Sequence, residues 1–202
     1  MTIISVDPIR DLETIKAIRK VLKKQSLRNE FLFIFGINVG LRIGDILKIR
    51  VQDICLNNES IKEYVKIKEQ KTGKHKRFYL GGIVKETAQI YINQTAPAME
   101  DFLFKSRKGK NQPISRTQAY RILNNAAFSI GLVQRNENGN IIYGEIGTHT
   151  LRKTFGYHAY KNGVDIVLLQ DILNHSSPST TLKYIGFTEE QKQAVYLNSN
   201  LG

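Results

Sequence analysis

The stretch from Thr148 to Gly186, THTLRKTFGYHAYKNGVDIVLLQDILNHSSPSTTLKYIG, gathers side chains suited to a phosphate. His149 and Arg152 stand one helical turn apart and so share a helix face. His175 follows, and Tyr184 closes the stretch just before Gly186. A guanidinium fork meets two phosphate oxygens, while each imidazole donates or accepts one proton. The phenol has two readings. It packs a half-buried core, or it attacks phosphorus if its proton is removed and the product charge is held. Upstream, Arg42 follows a break at Gly40, and Lys71 lies in KTGK beside Lys74, Lys76 and Arg77. Each of these also has an ordinary explanation: a surface arginine, a generic DNA-backbone contact, a histidine capping a helix or satisfying a loop.

Other chemistries lack their signatures. His75, His149, His158, His175 and Cys55 form no HExxH, CxxC or paired carboxylate cluster, so no metal site is expected. No Walker loop, nucleotide fingerprint or GxSxG occurs, and no cofactor is expected.

The chain of 202 residues fits one domain with a proper core. Its formal charge is +12, and +9 of that falls in residues 61–121. Such crowding points to a polyanion lying across a defined surface, the alternative being a solvated basic face. The single cysteine, Cys55, excludes an internal disulfide and suits a reducing compartment. MTIISVDPIR is not a signal peptide, and the apolar run Phe31–Leu41 is too short for a bilayer. A cytoplasmic protein with no membrane partner is expected.

The elements that must position these groups read as mostly helical. Asp7-Pro8 predicts a capped helix carrying Ile9, Leu12, Ile15, Ile18 and Leu22. Ser26 predicts the cap of a second, central helix through FLFIFGINVG, ending at Gly40. A short helix from Gly44, GDILKIR, follows Arg42. CLNNES reads as a turn, and IKEYVKIKEQ with KHKRFYL as a hairpin tipped by KTGK. IVKETAQIYINQ predicts a helix, the segment through APAMEDFLFKSRKGKNQPIS a basic loop, and Ser115 the cap of RTQAYRILNNAAFSI. QRNENGN reads as the tip of a second hairpin, and Asn162-Gly163 and Asp165 as a helix end and a cap. The fold class predicted is α+β, mostly α-helical with a small antiparallel β-sheet, as one domain over residues 1–202.

Order and spacing then matter more than any single residue. An arginine, HxxR far downstream, a histidine, and a tyrosine nine residues on resembles the signature of the tyrosine recombinases, the phage integrase family. GLRIGDILKIRVQDI resembles that family's first arginine box, EQKTGKHKRFYL its lysine hairpin, and HTLRKTFGYHAYKNGVDIVLLQDILNHSSPSTTLKYIG its second box. The resemblance runs from about Ile9 to Gly186.

It implies the catalytic domain fold of that family and a site-specific recombinase needing neither metal nor ATP. Arg42 and Arg152 would clamp the scissile phosphate, and Lys71, with Lys74 as fallback, would protonate the leaving 5′ oxygen. His149 would serve proton transfer with the nucleophile, His175 would hydrogen-bond the phosphate, and Tyr184 would form a 3′-phosphotyrosine. Double-stranded DNA is the implied partner, bound through Lys74, Lys76, Arg77, Lys105, Arg107, Lys108, Arg116, Arg121 and Lys153. A homo-tetramer on two DNA sites is implied, with a monomer in isolation. A catalytically idle DNA-binding regulator and a type IB topoisomerase-like activity are the rival expectations. Two departures stand out. Asn174 replaces the usual glycine, though asparagine tolerates positive φ. The family's N-terminal core-binding and arm-binding domains are expected to lie outside residues 1–202, as in a piece of a longer protein or a naturally compact recombinase, and the tail 187–202 packs either on its own domain or on a neighbouring protomer.

Overall fold

The computed structural model describes residues 6–57, 60–147, 149–187, 193 and 196–198. Its centre is α2 (Leu27–Val39), where Phe31, Leu32, Phe33, Ile34 and Phe35 are all buried. A helix apolar on every face must be surrounded, and α2 packs against α1 (Leu12–Gln25), α5 (Gly82–Thr95) and α7 (Thr150–Lys161). Phe31 and Phe35 meet edge to face, and Phe104 joins both rings from the loop after α5. The cap of α1 differs from the expectation at Asp7. Asp11 takes that role, its Oδ2 accepting from Thr14 N at 2.7 Å, and Ile9 packs ahead of the helix.

α2 ends at Gly40 in the left-handed region, φ 63°, a conformation that costs glycine little. The chain reverses there and presents Arg42 at the N-cap of the one-turn α3 (Ile43–Ile46). After α4 (Val51–Ile54) the antiparallel pairing expected from the sequence takes the form, among the described residues, of three two-stranded ribbons. β1 (Cys55–Asn57) pairs with β2 (Ser60–Ile61), so the CLNNES segment is strand-flanked, with residues 58–59 outside the described set. β3 (Tyr64–Lys68) pairs with β4 (His75–Tyr79), from Tyr64 opposite Tyr79 to Lys68 opposite His75. β5 (Gln134–Arg135) pairs with β6 (Ile141–Tyr143).

The second half holds α6 (Arg116–Ser129), capped by Ser115 as its sequence predicts. α8 (Ile166–Leu173) and α9 (Pro178–Tyr184) then fold back on α7 around their own apolar cluster of Leu169, Leu173 and Ile185. Gly156 on α7 makes that approach close, because a Cβ there would lie 2.6 Å from Ile185 Cγ2. The tail lies largely outside the described residues. Phe187 packs edge-on against Tyr160, and Tyr196 and Leu197 are exposed. No helix among the described residues is long and apolar enough to cross a membrane.

Candidate active site

Tyr184 ends α9, and its hydroxyl lies 3.2 Å from Nδ1 of His149 at the start of α7. The His175 ring meets the same phenol edge to face at 4.7 Å between centroids. Arg152, one turn along α7 from His149, is among the largest fully buried side chains of the protein. Its Nη2 donates to the carbonyl of Leu173, while Nη1 is buried without a partner among the described residues. A cation this deep is costly unless an acceptor meets its donors.

Arg42 joins the cluster from the start of α3. Its Nη1 donates to Glu69 Oε1 at 3.2 Å. Both guanidinium groups pull on the phenol of Tyr184, but burial outweighs them and leaves the hydroxyl above its ordinary range. Free of substrate, the tyrosine is therefore protonated at neutral pH and needs a base. Burial, then the charges of Arg152, Lys153, Arg42 and Lys71, keep His149 below the usual imidazole range, so it is neutral and able to accept. His175 is pushed down to about 4 by burial, with Arg152, Arg42 and Lys76 adding repulsion. Its Nδ1 lies 3.1 Å from Thr181 Oγ1, a contact that orients the ring.

Lys71 is exposed on the turn between β3 and β4. It lines a hollow of about 400 Å³ together with Arg42, Arg116 and His149. The structure thus brings Arg42, His149, Arg152, His175 and Tyr184 around one point, with Lys71 and Arg116 at its rim.

The other expected DNA contacts divide. Lys74, Arg77, Arg107, Lys108 and Arg121 are exposed. Arg77 lies over the Tyr64 ring at 4.6 Å, and Lys105 pairs with Asp101 at 2.7 Å. Lys105, Arg107 and Arg121 line a cavity of about 740 Å³ with Arg28, which sequence reading passed over. Two lysines do not face outward. Lys76 turns in to donate to the Ile172 carbonyl, and burial beside Arg152 lowers it to about 8. Lys153 is buried, its Nζ 5.3 Å from the Tyr184 ring centre. Period-two alternation along β4 and the helical period of α7 carried both signals.

Sequence reading also passed over Glu69, Asp45 and the side chain of Asn174. Glu69 and Asp45 are buried carboxylates between the arginines and the hairpin. The one signal for Glu69 was an acid in the otherwise basic run KIKEQK. Among the described residues no group of three or more His, Cys, Asp or Glu side chains is placed to hold a metal ion.

The phage integrase family model matches residues 10–191. A probable integrase/recombinase, YoeC of Bacillus subtilis, is 44% identical over 191 residues, covering 95% of each chain. The tyrosine recombinase XerC of Staphylococcus saprophyticus is 28% identical, over 88% of this chain and 55% of its own length. Among solved structures, a XerA recombinase superposes with a TM-score of 0.73 at 17% identity, over 96% of this chain and 64% of that one. A XerH site-specific recombinase bound to palindromic difH substrate gives 0.69 at 21%, over 93% and 51%. At such identities the two structures speak for the fold. The chain spans nearly all of YoeC but about half of XerC and XerH.

Proposed function

The chain belongs to the phage integrase family and is a tyrosine recombinase catalytic domain; from that premise we propose that Tyr184 cleaves DNA as the nucleophile of site-specific recombination. The observation that carries this reading is the Tyr184 hydroxyl 3.2 Å from a neutral His149, with both guanidinium groups acting on the same phenol. His149 takes the phenolic proton as the oxygen attacks a backbone phosphorus of double-stranded DNA. A bond from phosphorus to the tyrosine oxygen forms, and the bond to the 5′ oxygen breaks. Lys71 supplies that oxygen with a proton. Arg42, Arg152 and His175 hold the non-bridging oxygens, where charge grows in the transition state. The Nη1 of Arg152, without a partner among the described residues, supports this, since an arriving phosphate satisfies it.

Energy of the phosphodiester is kept in the 3′-phosphotyrosine, so a partner strand's 5′ hydroxyl reverses the step and completes exchange. Pairing of strands from two duplexes requires several copies, and we take the working assembly to be a homo-tetramer in the cytoplasm. A tail exchanged between protomers fits that assembly. Lys74, Arg77, Lys105, Arg107, Lys108, Arg116 and Arg121 supply the phosphate contacts that hold the duplex.

A nicked duplex bearing the recombination site, which releases a short fragment on cleavage, tests the reading. Wild-type protein is expected to accumulate a covalent DNA adduct that vanishes in Tyr184→Phe. DNA binding without any adduct would make the chain a regulator, and relaxation of arbitrary supercoiled plasmid would make it a topoisomerase.

A further inference from the structure

Glu69 is a carboxylate at 1% exposure on a hairpin otherwise rich in lysine. Both of its oxygens are engaged, from three separate parts of the chain. Oε1 accepts from Arg42 Nη1 at 3.2 Å, and Oε2 accepts from Thr72 Oγ1 at 2.8 Å and from Asn174 Nδ2 at 3.0 Å. Burial alone would raise its pKa. The hydrogen bonds from Thr72 and Asn174, with the charges of Arg42 and Lys76, outweigh burial and keep it ionised.

The backbone is fastened at the same place. Glu69 N donates to Lys74 O at 3.0 Å and Gly73 N to Glu69 O at 2.9 Å, closing the turn over residues 69–74. Gln70 N donates to Asp45 Oδ1 at 2.9 Å, and Gln70 Nε2 donates to Gly44 O. The tip that carries Lys71 is thereby tied to the Arg42 segment on one side. On the other side it is tied to Asn174, the residue before His175. Thr72, held by the carboxylate, is the immediate neighbour of Lys71.

Asn174 caps α8 in the left-handed region, φ 49° and ψ 50°. Glycine would meet that backbone demand at less cost. What glycine could not supply is the amide that reaches Glu69.

We propose that Glu69 is a positioning residue for Lys71, and that Asn174 and Thr72 are the anchors through which it sets the hairpin tip over the leaving oxygen. This rests on the reading of Lys71 as the proton donor. A long lysine on an exposed turn samples many positions. Fixing the turn at three points narrows where its amine can reach, and small misplacements of a catalytic group cost rate steeply.

The test compares nicked duplexes in which the scissile phosphate carries its normal 5′ oxygen or a 5′-bridging sulfur. A thiolate departs without a proton, so the sulfur ester no longer depends on an acid. Asn174→Gly and Thr72→Val in the full chain are expected to keep wild-type DNA affinity and a cooperative melt. On the oxygen ester they should form adduct more slowly, by about 10- to 100-fold; on the sulfur ester they should match wild type. Lys71→Ala serves as the reference for the reading beneath. A wild-type rate for that variant on the oxygen ester would remove Lys71 as the acid, whatever the other variants do. With Lys71 upheld, wild-type rates for both anchor variants on the oxygen ester would overturn the proposal. So would equal losses on the two esters, because the network would then act through something other than proton delivery.

Discussion

His175 shows how the site sets its own protonation. Its pKa falls from the ordinary 6.5 to about 4, chiefly by burial and then by Arg152. Between those values the unfolded chain binds a proton that the folded one refuses. The stabilisation is therefore complete above 6.5 and drains away as pH falls towards about 4. Thermal melts at pH 7.5 and pH 5 should show a smaller loss in His175→Gln than in wild type. Equal losses would mean the imbalance lies elsewhere. Residue types and spacing made it legible in the sequence that the aromatic, imidazole and guanidinium members of the candidate site would lie together. Glu69 and Asp45 were not, because a carboxylate reveals itself as a clamp only when the fold brings its donors, here the Arg42 guanidinium and the Gln70 amide, from distant segments against it. Lys76 and Lys153 misled for a related reason. Charge count marks a lysine as outward-facing, whereas its place in the period of β4 or α7 turns it inward.

At the scale of elements, the proposed catalytic groups divide between two supports. Arg42 and Lys71 hang from α3 and the β3–β4 hairpin, while His149, Arg152, His175 and Tyr184 ride on the α7–α9 unit. Contact across α7 and α9 is made at Gly156, where an added methyl meets Ile185 Cγ2 at 2.6 Å and Leu173 Cδ1 at 3.3 Å. Alanine would gain about 0.5–1 kcal/mol of helix preference at that position, against about 1–3 kcal/mol for overpacking. Gly156→Ala should thus lower stability in urea melts, and by shifting α9 it should slow adduct formation further than the reduced stability explains. A variant as stable and as fast as wild type would show that the approach is looser than described. Caps and breaks at Gly40, Ser115 and Asp165 were readable because their chemistry is local. The start of α1 was not, since Asp7 and Asp11 offer the same side chain and packing of Ile9 decides between them. Ribbon pairing likewise depends on what each strand leans on, which no strand states by itself.

The whole molecule sets a basic surface around a partly buried candidate site. With +12 overall and much of it on the hairpin, the loop after α5 and α6, affinity for a duplex should fall steeply as salt rises. Replacing Lys105, Arg107 and Arg121 together by glutamine should flatten the plot of log K against log salt by about 0.9 for each phosphate that is no longer neutralised. An unchanged slope would place the duplex on another face. On the proposed mechanism a single phenol, served by groups from position 42 to position 184, becomes joined to DNA. Protease digestion of the trapped adduct and mass spectrometry of the nucleotide-bearing peptide test it most directly. A nucleotide 3′-phosphate joined to Tyr184 is the expected result. A nucleotide carried by any of the other tyrosines, or by no tyrosine at all, would contradict it.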